Sequence, residues 1–213
     1  MYAALSPLGL AAVTGSCPTV GVAGFSLGGG WGPLSAEKGL GVDNVAAFRV
    51  ALANGQVVEA MPNNSYSDLF WALAGGGHGN YGIVTSITYK VFPLQEAATF
   101  NITWNIAGNP KKAAEVLLAW QDTCINKDPR GLSTWPHMYS NAKTGEQLLI
   151  IYATYAPSGM DIAAAEQVLQ QAMQPLLALS PQDSTFRRTP WSEMPMLVVR
   201  HLGAHSIIPL RGH

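Results

Sequence analysis

Gly15-Ser16-Cys17-Pro18-Thr19-Val20-Gly21-Val22-Ala23-Gly24-Phe25-Ser26-Leu27-Gly28-Gly29-Gly30-Trp31-Gly32 is the segment around which the rest of this chain is organised. Glycine at this density inside an apolar run is costly in conformational entropy, a cost that makes sense where backbone must approach something flat or phosphorylated. The segment therefore reads as one wall of a cofactor site.

A rival reading starts from five of the same residues. Gly24-Phe25-Ser26-Leu27-Gly28 spells the nucleophile elbow of a serine hydrolase, with an apolar run ahead of it and Asp161 and His201 following in hydrolase order. An elbow has to feed straight into a helix, and Gly28, Gly29, Gly30, Gly32 and Pro33 make a poor helix start. No oxyanion-hole glycine cluster precedes the serine either. The hydrolase stands as the alternative, behind the cofactor wall.

Lys38-Gly39-Leu40 and Asp43-Asn44 follow the glycine segment. A second motif then runs Asp68-Leu69-Phe70-Trp71-Ala72-Leu73, Gly75-Gly76-Gly77 and Asn80-Tyr81-Gly82-Ile83-Val84-Thr85. In this order and spacing the two motifs resemble the flavin-binding segments of the FAD-linked oxidases of the vanillyl-alcohol-oxidase type, in particular the berberine-bridge-enzyme-like branch. The resemblance covers residues 2–93 well and the remainder loosely. It implies an α+β fold: the second subdomain of a PCMH-type FAD-binding domain over residues 1–95, then part of an antiparallel-sheet-plus-helices substrate domain over residues 96–213. It also implies an upstream cofactor subdomain and a C-terminal substrate-deprotonating tyrosine. A chain of 213 residues does not hold these and so reads as a fragment.

Composition narrows the function classes. Charged residues make up 12% of the chain, about half the usual share of roughly 25%. A net charge of -1 without any basic run argues against nucleic acid or an anionic membrane surface as partner. No apolar segment reaches the roughly 18 residues needed to span a bilayer, and the start at Met1-Tyr2 lacks the regions of a signal peptide. Cys17 and Cys124 are the only cysteines, too few for a disulfide scaffold or structural zinc, although they could pair. Asn63-Asn64-Ser65 and Asn101-Ile102-Thr103 fit the glycosylation sequon, in keeping with the secreted location of the family resembled.

Taken in order, residues 2–10 are apolar all round and predict a short buried helix. Val45, Ala47, Phe48, Val50 and Leu52 predict a strand buried on both faces, with Asn54-Gly55 supplying the positive backbone angles of a hairpin and Val57-Val58 its return. Ser65 or Ser67 is expected to cap a helix from Asp68 to about Ala74, broken by Gly75 to Gly77 and followed by a long strand from Ile83 that ends at Phe92 and Pro93. Gly77, Gly79 and Gly82 match the dinucleotide fingerprint by letter, but with helix before and strand after, the reverse of what it needs. Beyond Pro93, residues 99–105 and 148–155 read as strands. Asn109 and Pro110 open a helix buried through Ala113, Val116, Leu117, Trp120 and Cys124. Ser158 and Asp161 form a capping box for a helix buried through Ile162, Ala165, Leu169 and Met173.

The resemblance assigns site residues. Cys17 stands where bicovalent members attach the flavin ring through sulfur, a role that needs an exposed thiolate; a small buried apolar residue is the alternative. Gly15, Ser16, Gly21, Val22, Gly24 and Gly28 would lend backbone amides and close approach to the pyrophosphate and ring, or else form a tight turn between packed layers. Trp31 would lie against the ring or, as preferred, fill core space. Val84 would cover the cofactor from the strand side. Asp43 and Asn44 are read as loop fasteners through side-chain to backbone bonds, and Asn80 as tolerating a left-handed turn. Phe25 departs from the histidine many relatives carry, and Ala74 and His78 from the arginine and glycine of the second motif. His201 and His205 lack a carboxylate partner, so no metal site is assigned.

The function implied is an FAD-dependent oxidase that moves hydride from a small organic substrate to flavin bound either tightly or through a covalent link at Cys17, with dioxygen as acceptor. The protein would orient the ring and raise its potential, while the redox chemistry belongs to the cofactor. No residue of this chain is assigned as catalytic base, and a non-catalytic remnant is the further alternative. Substrate identity and oligomeric state are not assigned.

Overall fold

The computed structural model describes residues 1–77, 79–125, 131–157 and 159–195. His78, Ser158, His201 and His205 lie outside the described residues. Two units are formed, one from Met1–Gln95 with the turn Trp191–Glu193, the other from Glu96–Pro190. Trp191 joins the first unit through its N–H, which donates to the Gln95 carbonyl at 2.7 Å, and through its ring, 5.7 Å from that of Tyr2.

In the first unit, α1 (Tyr2–Leu5) passes into a single tight turn, Ser6–Leu8, and then β1 (Leu10–Ala11). The buried helix expected over residues 2–10 is therefore shorter and buries no residue fully. Pro7 has no N–H to continue the helical ladder, and Gly9 reverses the chain at φ 68. There follow α2 (Val22–Leu27), α3 (Ser35–Lys38), β2 (Val45–Ala51), β3 (Val57–Ala60), α4 (Ser67–Gly76), β4 (Ile83–Tyr89) and β5 (Phe92–Pro93). β1 pairs with β5, and β3, β2 and β4 form an antiparallel sheet in that order.

Local chemistry explains the departures from expectation. Val45 faces Tyr89 but Ala47 faces Thr88, so one extra residue bulges β2 and lets the neighbours Ala47 and Phe48 both be buried. At the hairpin only Gly55 takes a positive φ, at 84; Asn54 instead accepts the Gln56 N–H on Oδ1 at 3.0 Å. Neither expected serine caps α4. The turn before it is held by Asn64 Oδ1, which accepts from Met61 N and Tyr66 N, and the helix kinks at Ala74 and Gly75. Asn80 is not left-handed; Gly79 is, at φ 85. The strand expected to run on to Phe92 and Pro93 stops at Tyr89, where Lys90 N–H donates to the Asn44 carbonyl, and Phe92 and Pro93 pair with β1 instead. The unit's core joins Leu27, Val42, Phe48, Val50, Val58 and Leu73.

The second unit comprises β6 (Glu96–Asn105), α5 (Pro110–Trp120), β7 (Leu132–Asn141), β8 (Glu146–Tyr155), α6 (Ile162–Leu177) and β9 (Asp183–Pro190). Its antiparallel sheet has the order β7-β8-β6-β9. α5 and α6 bury their apolar stripes on the sheet face that carries Phe100, Ile102, Trp104, Leu149 and Ile151, with Val116, Leu169 and Met173 in the contact. Asn109 caps α5, its Oδ1 accepting Lys112 N–H at 3.0 Å. Asp161 caps α6, its Oδ2 accepting Ala163 N–H at 2.9 Å. The mixed helical and antiparallel architecture is the α+β class expected.

Candidate functional site

The glycine-rich segment folds into a loop followed by the short helix α2. Its turn at the cysteine is closed by Val20 N–H donating to the Cys17 carbonyl at 3.2 Å, with Pro18 pre-setting the backbone. Beside it lies a concavity of about 180 Å³ whose lining includes Tyr2, Thr14, Gly15, Cys17, Val22 and Phe25. Sites that enclose a whole drug-sized ligand measure roughly 300–1,000 Å³, so this one has the size to grip an edge of a larger group. Of the residues assigned from sequence, Gly15, Cys17 and Val22 line it; Ser16, Gly21, Gly24, Gly28, Trp31 and Val84 do not. Tyr2, Thr14 and Phe25 were missed. Phe25 was noted only as a departure from the histidine of relatives, and no motif marks Tyr2 or Thr14.

The glycines divide into two kinds. A Cβ on Gly30 would lie 2.5 Å from the Phe25 ring and one on Gly41 2.4 Å from it, so these two clear space for an internal aromatic. Gly21 and Gly24 have nothing within 4 Å of such an atom. With Val22 and Ala23 they form the exposed face of α2. Packing therefore explains part of the glycine density, and an open approach the rest.

Cys17 and Cys124 form no disulfide with each other; Cys17 is half-exposed and Cys124 buried. Cys17 Sγ lies 3.3 Å from Thr19 Oγ1. Hydrogen bonds from the Thr19 side chain and backbone lower the thiol pKa, against a smaller upward push from burial, which is the direction a nucleophilic sulfur requires. Tyr2 donates to the Gly15 carbonyl at 3.3 Å. Burial pushes its pKa up to about 12, weakly opposed by the nearby Thr14 hydroxyl. At hydrogen-bonding geometry, buried Thr14 Oγ1 has no partner among the described residues. An orphaned hydroxyl, an open glycine face and an acidified thiol are what a flat, polar, electrophilic ring would use, so the residues present fit a flavin.

Trp31 is 49% exposed rather than in the core. Val84 is half-buried on β4 opposite Val50 and packs into the first unit's core. The hydrolase elbow is absent: Ser26 lies inside α2, is 0% exposed, and bonds Tyr89 Oη at 2.7 Å. Asp161, the acid that reading needed, is the cap of α6. The loop fasteners are as expected, with Asp43 Oδ2 accepting Leu40 N–H at 2.7 Å and Asn44 Nδ2 donating to the carbonyls of Lys38 and Leu40. Among the described residues no three His, Cys, Asp or Glu side chains form a metal cluster, and no helix is long and apolar enough to cross a membrane.

Comparison with known proteins places this geometry. The FAD binding domain family model matches residues 1–61. An FAD-linked oxidoreductase of Hypocrea jecorina is 35% identical over 174 residues, which are 81% of this chain and 29% of that protein. Among solved structures, xylooligosaccharide oxidase from Myceliophthora thermophila, in complex with xylobiose, is 31% identical with a TM-score of 0.66, over 92% of this chain and 38% of its own. The berberine-bridge-enzyme-like protein 1 of Physcomitrella patens is 26% identical with a TM-score of 0.74, over 97% of this chain and 41% of its own. The chain thus spans less than half the length of each of these relatives. It belongs to the FAD-linked oxidoreductases of the vanillyl-alcohol-oxidase and berberine-bridge-enzyme-like family and corresponds to a part of its members.

Proposed function

We propose that this chain supplies the covalent-attachment wall of a flavin-dependent oxidase acting on a small organic substrate, with dioxygen as electron acceptor. The observation that carries the reading is the Cys17 thiol, acidified by Thr19 and placed in one concavity with the orphaned Thr14 hydroxyl. Bound FAD supplies the two-electron redox centre. Cys17 would hold the flavin through its sulfur, the thiolate serving as the attachment nucleophile. Thr14 Oγ1 would be free to hydrogen-bond the group, and the open face at Gly21 and Gly24 would admit it without a steric cost. Tyr2 keeps its proton at neutral pH and holds the Gly15 backbone in place.

The solved relative bound to xylobiose makes oligosaccharides the first substrates to try, and the sequons at Asn63 and Asn101 are in keeping with a secreted location. The test uses the purified chain incubated with FAD. Substrate added without oxygen should bleach the flavin absorbance, and air should restore it. A colourless protein, or one whose colour no substrate bleaches, would favour the non-catalytic remnant.

A further inference from the structure

We infer that Tyr89 is a positioning residue for the flavin-facing loop, its hydroxyl fixing the first turn of α2 where Val22 borders the concavity beside Cys17. This rests on the flavin reading above. Tyr89 ends β4, and its Oη lies 2.7 Å from Ser26 Oγ and 3.3 Å from the Val22 carbonyl. A phenol has one proton to donate. Given to the Val22 carbonyl, it leaves Ser26 to donate to Tyr89 Oη, and the three groups form a closed chain.

The rest of α2 explains why this contact matters. Six residues are far too few for a helix to hold itself in water, so contacts from outside must place it. The C-terminal half has them: Leu27 is in the core, its carbonyl accepts Gly77 N–H at 3.3 Å, and Phe25 is fitted against Gly30 and Gly41. The N-terminal half presents exposed Gly21, Val22, Ala23 and Gly24. Its tie to the sheet is the bond from Tyr89. Burial raises the Tyr89 pKa, so the proton stays in place at neutral pH.

The test compares Tyr89→Phe with Ser26→Ala in the full chain. Phe keeps the ring and removes both bonds, whereas Ala at position 26 leaves the Tyr89 to Val22 bond. Amide hydrogen exchange across residues 22–27 in the absence of FAD should be roughly tenfold faster in Tyr89→Phe, which loses both hydrogen bonds. FAD affinity should weaken by a similar factor, with an altered visible circular dichroism of the bound flavin. Ser26→Ala should keep the wild-type FAD affinity and flavin spectrum. Wild-type exchange or wild-type FAD affinity in Tyr89→Phe would overturn the inference. So would loss of the whole fold, since a tie confined to α2 leaves the sheet standing. If the wild-type chain itself binds no FAD, the flavin reading fails, and the exchange measurement still decides the tie.

Discussion

Gly30→Ala and Gly24→Ala separate the two kinds of glycine in the organising segment. Gly30 sits at φ 81, and a Cβ there would fall 2.5 Å from the Phe25 ring. A left-handed alanine costs roughly 1–2 kcal/mol and overpacking about 1–3 kcal/mol, so the substitution should destabilise by roughly 2–5 kcal/mol. In a Phe25→Ala background the ring is gone and only the backbone part should remain, giving a coupling of about 1–3 kcal/mol in the double-mutant cycle. Gly24 is exposed in α2 with nothing within 4 Å, and alanine there should stabilise by roughly 0.5–1 kcal/mol while weakening FAD binding on the face it obstructs. Urea unfolding of the FAD-free chain, followed by far-ultraviolet circular dichroism, measures all four stabilities. A Gly24→Ala penalty as large as that of Gly30→Ala, or a cycle with no coupling, would refute the division into packing and open glycines.

Three further outcomes follow from the same coordinates. Asn109→Ala, which removes the cap bond to Lys112 N–H, should cost about 1 kcal/mol in urea unfolding, and Asn109→Asp should recover most of it. Leu169→Ala empties a fully buried position in the second unit's core and should cost roughly 2–5 kcal/mol; thermal melts that match wild type would show the helix is misplaced. Tyr2 and Tyr152 are pushed by burial from 10.0 up to about 12, so in that window the folded chain binds more protons than the unfolded one. Their contribution is complete below pH 10 and is lost as pH rises towards 12, a slope that Tyr2→Phe with Tyr152→Phe should flatten.

What could be read in advance follows from where each signal resides. β6, β8, α5 and α6 carry alternation, helical periodicity and cap residues in their own sequence, and were legible for that reason. β7 and β9 were not, because both are edge strands with one paired neighbour. Pro136 is tolerated in such a strand but not in a central one, and the Arg187-Arg188 pair in β9 breaks any apolar run. α2 was hidden by its glycines, since packing at Leu27 and Ser26 overrides their propensity. The Ser26 and Tyr89 contact spans 63 positions, and nothing local announces it. The motif drew attention to Cys17, whereas its contact with Thr19 and the buried Thr14 hydroxyl lining the same concavity follow from the fold and carry no local signal.

The most direct test is mass spectrometry of the peptide containing Cys17 after the chain has been incubated with FAD in air, denatured in acid and digested. The account predicts that this peptide carries the mass of FAD less two hydrogens, and that Cys17→Ser yields no flavin-bearing peptide. An unmodified Cys17 in protein that releases all its flavin, or flavin attached elsewhere in the chain, would contradict it.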